Sequence, residues 1–193
     1  MAIRLQIVFV LITFLSILAV VFTQSADKYF VFETSKVLSG EVWRVLTCHL
    51  CHTNWLHLGM NLLGLALLLG IFDEEFNTVT LIQVLGVSAL AIALGYVVFY
   101  PADTRYLGLS GVLHGVAGAG SILVFKSRRL FAILFLLGLT IKILSEYTLG
   151  ASQGMAEMIQ ARVATEAHLM GVLAGVAYGI GAVCFTRSRQ GGC

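Results

Sequence analysis

Long apolar runs separated by short polar segments make up most of this chain. Each run is close to the roughly 20 residues that an α-helix needs to cross a bilayer. The runs predict six transmembrane helices, at 5–22, 56–72, 79–99, 110–125, 130–145 and 163–185. A cleaved signal peptide is the alternative for the first run, but that run is longer than the roughly 7–15 apolar residues of a signal core. We therefore expect an all-α polytopic membrane protein.

The composition supports this fold class and narrows the function. Of the 193 residues, 59% are hydrophobic and 11% are charged, against about 25% charged residues in soluble domains. The mean hydropathy is +0.94. A net charge of only +2 gives no support for a nucleic-acid partner. We expect a single membrane domain over residues 1–193, surrounded by membrane lipid.

Basic residues near the span ends predict the orientation. Six spans put both termini on one side of the membrane. The basic residues on that side are Arg4, Lys126, Arg128, Arg129, Arg187 and Arg189. Because cytoplasmic loops carry an excess of lysine and arginine, both termini should be cytoplasmic. Three acids at 73–75 fall on the same side, but acidic residues count little in this rule.

A serine close to two glycines begins the fourth predicted helix. Ser110 lies between Gly108 and Gly111, where a loop turns into a helix. The free N–H groups and the dipole of a helix N-terminus favour negative charge that develops there. Ser110 is therefore a candidate nucleophile, provided that a base and oxyanion donors lie nearby.

Two other predicted helices carry polar side chains near the side of the membrane where Ser110 lies. His57 and Asn61 are four residues apart and share one face of the second helix, and His168 begins the sixth. All three lie at the same depth in the membrane as Ser110, and polar side chains inside a membrane are candidates for a functional site. His168 is the candidate base, and Asn61 and His57 are candidate oxyanion donors. Glu166 lies on another helix face, so we expect a Ser-His dyad with no carboxylate behind His168.

Glycines at intervals of four predict where two of these helices pack. Gly111 and Gly115 lie on the fourth helix, and the sixth repeats the spacing at Gly171, Gly175 and Gly179. Small residues at this period let helix backbones approach closely in lipid. If these faces meet, the candidate nucleophile and base come within hydrogen-bond reach.

Two further polar positions are expected at the membrane interface. Lys142 lies inside the fifth span, where a long side chain snorkels to the headgroups; contact with substrate is the alternative. Trp43 beside Arg44 suits the headgroup boundary, where an aromatic ring and a cation anchor a segment.

A short cysteine motif indicates a different function. Cys48, Cys51 and His52 form the C-x-x-C-H string that attaches c-type haem. No distal ligand is evident, and the string stands only a few residues before the second span. A dithiol that oxidises outside the cytoplasm, two unpaired cysteines and a zinc site are the other interpretations.

Three segments together resemble the signatures of rhomboid intramembrane serine proteases. They are Gly-Leu-Ser-Gly at 108–111, His-Leu-Gly-Met-Asn at 57–61 and Ala-His-Leu-Met-Gly-Val-Leu-Ala-Gly at 167–175. In addition, Glu-Val-Trp-Arg at 41–44 resembles that family's first-loop Trp-Arg. The order of the motifs also matches, so the resemblance covers nearly the whole chain.

The resemblance implies a six-transmembrane-helix rhomboid-like bundle and a role for each polar residue. Ser110 would be the nucleophile and His168 the base, with His57 and Asn61 holding the oxyanion. Neither a metal nor a cofactor is implied. A catalytically inactive relative that binds membrane partners is an alternative, although such relatives usually lack the serine or the histidine.

His114 departs from the family pattern. Many rhomboids carry an aromatic residue four positions after the serine, packed on the catalytic histidine, and here that residue is His114. It would lie one turn below Ser110, with Gly108 and Gly111 among the residues that support the site or its substrate. A structural role is the preferred interpretation, and which histidine takes the serine proton stays open.

Finer features resemble the rhombosortase branch of the family. They are the Leu-His-Gly ending at 113–115 and the run Trp-Arg-x-x-Thr-x-His-x-x-His at 43–52. The branch implies an enzyme of the bacterial inner membrane that processes proteins with a C-terminal Gly-Gly, a hydrophobic helix and a basic tail. Both hydrolysis and transpeptidation remain open for such an enzyme.

Overall fold

The computed structural model describes residues 3–190 and shows a mostly helical chain. The helices are α1 (Ile3–Val21), α2 (Thr23–Tyr29), α3 (Thr34–Leu38), α4 (Arg44–Thr47), α5 (Trp55–Ile71), α6 (Thr78–Phe99), α7 (Ser110–Leu123), α8 (Arg129–Leu149), α9 (Gln153–Ile159) and α10 (Thr165–Gln190). The strands are β1 (Phe32–Glu33) and β2 (Arg105–Tyr106). Side chains are described for 5–22, 26–186 and 188. The side chains of Arg4, Arg187 and Arg189, which support the predicted orientation, lie outside this set.

Each predicted span coincides largely with one helix, although fewer than six pass a strict test of length and hydropathy. Within residues 3–190, the helices that are long and apolar enough to cross a membrane are Thr78–Phe99, Arg129–Leu149 and Thr165–Thr186. A fourth is gained if Arg44–Leu50 and Trp55–Ile71, which are bent by 99°, form one span. Leu5–Val21 and Ser110–Lys126 are shorter apolar helices. The chain is an all-α, multi-pass membrane protein, and the number of six spans stays a prediction.

Helix α7 is the central helix of the bundle, and most of its residues are buried. Its 14 residues extend for about 21 Å, which is less than the roughly 30 Å of a hydrocarbon core. The loop before α7 is therefore expected at membrane depth, where irregular backbone must be buried in protein. Strand β2 in this loop pairs with β1, with Phe32 opposite Tyr106, and both side chains are buried. The last residues of this loop, from Tyr106 to Leu109, are largely buried and lead directly into Ser110.

The predicted glycine contact between α7 and α10 is confirmed. A Cβ atom added to Gly171 would lie 3.0 Å from the carbonyl carbon of Gly111. A Cβ atom added to Gly175 would lie 2.7 Å from the carbonyl carbon of Gly115. Ordinary contacts of this kind are 3.4–4 Å, so the two backbones touch and no larger residue fits. This close approach sets the distance between the first turns of α7 and α10.

Arg44 is not the headgroup anchor that the sequence suggested. Its side chain is buried and donates to the carbonyls of Val31 and Lys28 at 2.6 and 2.7 Å. The carboxylate of Glu41 accepts from Arg44 Nε at 2.7 Å. The indole of Trp43 donates to a carbonyl in the same segment at 2.9 Å. Because buried carbonyls need donors, the Trp-Arg pair folds the loop that carries β1.

Candidate active site

The loop before α7 is held so that Ser110 begins its helix inside the protein. Gly108 has a φ of +112°, a left-handed conformation that favours glycine. Its N–H donates to the carbonyl of Cys48 at 3.0 Å, and its own carbonyl accepts from the Tyr106 hydroxyl at 2.8 Å. Because a carbonyl oxygen only accepts, the Tyr106 hydroxyl is the donor in this bond. A Cβ atom on Gly108 would lie 3.0 Å from the His57 ring.

His168, in the first turn of α10, lies beside Ser110. The distance from its Nε2 to Ser110 Oγ is 3.0 Å, and His168 is 5% exposed. This contact follows from the glycine packing, because Gly111 and Gly171 bring the two helix backbones together next to these residues. An imidazole with its lone pair on Nε2 can accept the hydroxyl proton. The structure therefore brings the candidate nucleophile and the candidate base into one hydrogen-bonded pair.

A carboxylate lies behind His168, and the expectation that none would be found there is wrong. Glu146 Oε2 is 2.9 Å from His168 Nδ1, and Glu146 Oε1 is 2.6 Å from Lys142 Nζ. Helix α8 continues to Leu149, beyond the predicted end at 145, and so carries Glu146 into the bundle. Lys142 is therefore paired within its own helix. The i, i+4 spacing of Lys142 and Glu146 on an apolar helix is the sequence signal that would have revealed this pair.

Glu166, the acid nearest to the histidine in sequence, faces away from it as expected. Its carboxylate accepts from the Tyr96 hydroxyl at 3.0 Å and from the Arg162 guanidinium at 2.9 Å. Hydrogen bonding to Glu166 raises the pKa of Arg162, so the guanidinium stays charged. Glu166 thus belongs to a separate ion pair at the start of α10.

Asn61 lies on α5, on another side of Ser110. Its side chain is buried and its Nδ2 donates to the carbonyl of His57 at 3.1 Å. The second amide hydrogen remains available. Asn61, Ser110 and His168 line one cavity of about 190 Å³ together with His57 and Glu146. An amide hydrogen in this cavity can stabilise an oxyanion formed at the serine.

The neighbours of His57 bear on whether its ring can donate into the cavity. His57 Nδ1 is 3.1 Å from Thr53 Oγ1, and Thr53 donates its single hydroxyl proton to the carbonyl of Ile159. The proton shared between His57 and Thr53 must therefore lie on His57 Nδ1. A neutral ring with its proton on Nδ1 has only a lone pair on Nε2. Asn61 is thus the better placed neutral donor.

His114, four residues after Ser110, packs on His168 as expected from the sequence for an aromatic residue at this position. Its ring stacks on His168 with 4.1 Å between the centroids and 15° between the planes. His114 Nδ1 lies 2.7 Å from the carbonyl oxygen of Ser110. Because that oxygen can only accept, the His114 ring donates to the helix backbone. His168 is therefore better placed than His114 to take the serine proton.

The family assignment rests on most of the length of the chain. The sequence profile of the Rhomboid domain matches residues 39–184. The chain belongs to the rhomboid family. Membership implies an intramembrane protease that acts on membrane proteins. No curated protein is similar enough to match this rhomboid.

One group in the described part of this rhomboid has the composition of a metal site. His114, Glu146 and His168 offer ligand atoms within 4.8 Å of one another. However, the two imidazoles are stacked, so their nitrogens do not converge on one point, and both nitrogens of His168 already have partners. The cluster suits proton transfer better than metal binding, and the expectation of no metal stays a prediction.

The two cysteines of the C-x-x-C-H string are packed inside this rhomboid. Cys48 and Cys51 are buried free thiols, and the His52 ring packs edge-on against His57 at 4.9 Å. The carbonyl of Cys48 holds Gly108 in place. Both cysteines are thus accounted for by the packing of the first loop, and the haem hypothesis gains no support.

Ser110 also borders two larger cavities in this rhomboid. A cavity of about 210 Å³ on the side of the β2 loop includes Arg105 and Thr53. An apolar groove of about 360 Å³ runs from Ser110 along α5, α7 and α8, past Leu67 and Leu139. The serine therefore lies between a cavity with both polar and apolar lining residues and a groove that suits a hydrophobic segment.

Proposed function

We propose that this rhomboid is a serine endopeptidase in which Ser110 is the nucleophile and His168 the general base. The observation that carries the proposal is the 3.0 Å contact between Ser110 Oγ and His168 Nε2. The contact lies at a helix N-terminus inside the protein, where the backbone N–H of the serine is also available to an oxyanion. A serine with only a structural role would bond a backbone carbonyl, as Ser121 does.

The reaction begins when Ser110 Oγ bonds to the peptide carbonyl carbon and its proton passes to His168 Nε2. The carbonyl oxygen becomes an oxyanion held by the Ser110 N–H and the Asn61 amide, with His57 as a further donor when its ring is protonated. His168 then protonates the leaving amine, and water releases the acyl-enzyme. An amine of a membrane component in place of water would make the same site a transpeptidase.

The proposed substrates are membrane-anchored proteins with a C-terminal Gly-Gly, a hydrophobic helix and a basic tail, as in the rhombosortase branch. The apolar groove beside Ser110 supports this substrate class, because it suits the hydrophobic segment that follows the cleavage site. The Gly-Gly pair supports it as well, since an α-helix hides its carbonyls in hydrogen bonds and glycine disfavours the helix.

The proposed setting is the bacterial inner membrane, with residues 1–193 forming one domain of six spans. Both termini would be cytoplasmic, because the Lys126–Arg129 turn lies on that side in the six-span arrangement. The serine would then face the outer side of the membrane, where the anchored substrates are cut.

The test is cleavage of a Gly-Gly-tailed membrane protein by the full chain in proteoliposomes. We expect Ser110→Ala and His168→Ala each to lower kcat by at least about 10³-fold. Ser39→Ala, which changes an exposed serine of the first loop, is the matched control and should cleave like wild type. Cleavage by Ser110→Ala at the wild-type rate would contradict the mechanism. Activity kept in His168→Ala but lost in His114→Ala would reassign the base.

A further inference from the structure

We infer that Glu146 is a positioning residue for His168, so that the proposed dyad works as a Ser-His-Glu triad. This inference rests on the proposed function, which it deepens. The two nitrogens of the His168 ring face different partners: Nδ1 lies 2.9 Å from Glu146 Oε2, and Nε2 lies 3.0 Å from Ser110 Oγ. The three groups are therefore linked in series through one imidazole.

The carboxylate sets the tautomer of the histidine. A carboxylate oxygen only accepts hydrogen bonds, so Glu146 requires a proton on His168 Nδ1. The Nε2 lone pair then faces Ser110, as a general base requires. When the serine proton arrives at Nε2, the positive imidazolium is stabilised by the adjacent negative charge, and Glu146 keeps its ionised form throughout.

Two other contacts hold this arrangement. Lys142 Nζ lies 2.6 Å from the other oxygen of Glu146, so each carboxylate oxygen has its own partner. His114 stacks on one face of the His168 ring, which fixes the plane of the imidazole. The orientation of His168 is thus determined from both α7 and α8.

If Glu146 served only to pair with Lys142, its second carboxylate oxygen would have no reason to contact His168. The Lys142 side chain is 45% exposed and the Glu146 side chain only 17%, so the carboxylate lies closer to the bundle interior than the ammonium does. Helix α8 lies at the periphery of the bundle, and its buried residues within the described chain are Ala132 and Ile143. A carboxylate at membrane depth is expensive unless it is paired and functional, and here it connects a peripheral helix to the proposed base.

The test measures how fast a fluorophosphonate probe labels the serine, in the full chain reconstituted in vesicles. Labelling forms an Oγ–P bond, breaks the P–F bond and passes the hydroxyl proton to His168, so it needs the base but no protein substrate. Glu146→Gln offers an amide N–H to Nδ1 and favours the wrong tautomer. We expect labelling at least about 10²-fold slower than wild type, by analogy with the wrong-tautomer effect in serine proteases. For the Gly-Gly-tailed substrate, kcat should fall while KM stays within about twofold.

Two matched variants separate the roles. Glu157→Gln removes an exposed carboxylate of α9 and should label at the wild-type rate. Lys142→Met removes one of the two partners of the carboxylate but leaves Glu146 beside His168, so it should slow labelling less than Glu146→Gln does. Labelling of Glu146→Gln within twofold of wild type would overturn the triad and leave the proposed function intact. Labelling of Ser110→Ala at the wild-type rate would instead overturn the proposed function.

Thermal unfolding distinguishes loss of positioning from loss of fold. If Glu146→Gln is unfolded at the assay temperature, Glu146→Ala with and without added formate decides the question. Formate can enter the cavity that Glu146 lines and restore an acceptor at His168 Nδ1. Faster labelling with formate supports the triad, and an unchanged rate overturns it.

Discussion

Replacing Gly171 by alanine tests the link between helix packing and the proposed chemistry. The new Cβ atom would lie 3.0 Å from the carbonyl carbon of Gly111 and closer still to the carbonyl oxygen, against ordinary contacts of 3.4–4 Å. Because both obstructing atoms are backbone, α7 and α10 must separate by about 1 Å. The 3.0 Å contact between Ser110 and His168 would then open to about 4 Å, which is no longer a hydrogen bond.

We expect Gly171→Ala to slow fluorophosphonate labelling and substrate cleavage by about 10²-fold, since a displacement of about 1 Å has effects of that size. The free energy of unfolding should fall by about 1–3 kcal/mol, as for other overpacked cores. Gly181→Ala is the matched control on the same helix, because its Cβ atom would meet nothing within 4 Å. A folded Gly171→Ala protein that labels as fast as Gly181→Ala would refute this reasoning.

Five further variants test other contacts. Asn61→Ala should lower kcat by about 10²–10³-fold, since it removes an oxyanion donor. His57→Ala should lower kcat by less, because the neutral His57 ring lacks a proton on Nε2. Equal losses of kcat in steady-state cleavage would contradict this order. Arg44→Met removes a charged donor from the buried carbonyl of Val31 and the partly buried carbonyl of Lys28. It should lower the free energy of unfolding by about 3 kcal/mol, seen as a lower thermal midpoint. Gly108→Ala and Gly40→Ala, both at positive φ, should each lose about 1–2 kcal/mol. Only Gly108→Ala, which crowds the His57 ring, should lose activity.

The features that depend on short spacing were predictable from the sequence. The lengths of the apolar runs fixed the positions of the long helices, because about 20 apolar residues suit one crossing of a bilayer. The i, i+4 spacing of Gly111 and Gly115, and of Gly171 and Gly175, predicted the contact of α7 with α10. That contact in turn predicted that Ser110 would lie near a residue at the start of α10.

The spacing of Lys142 and Glu146 indicates their ion pair, but the contacts that depend on helix ends and on tertiary acceptors were not predictable. Glu146 falls one residue beyond the predicted end of its span, and helix ends are the least reliable part of a sequence prediction. Its role at His168 also depends on the rotation of α8, which no periodic pattern fixes. Arg44 was expected at the headgroup boundary because the carbonyls that accept from it lie 13 and 16 residues earlier in the chain, a separation that no helical period reveals.

The pairing of Lys142 with Glu146 also has a consequence for how this protein enters the membrane. A single lysine or acidic residue inside an inserting helix opposes insertion, by as much as about 2.5–3.5 kcal/mol at the helix centre. Because the two residues are one turn apart, α8 carries a matched ion pair within itself. Apart from Arg129 at its first residue, α8 can therefore insert with no net charge before α10 is in place. Oε1 of Glu146 pairs with Lys142 during insertion, and Oε2 stays free until α10 brings His168 beside it. One oxygen of the carboxylate therefore serves membrane insertion and the other serves the proposed catalysis.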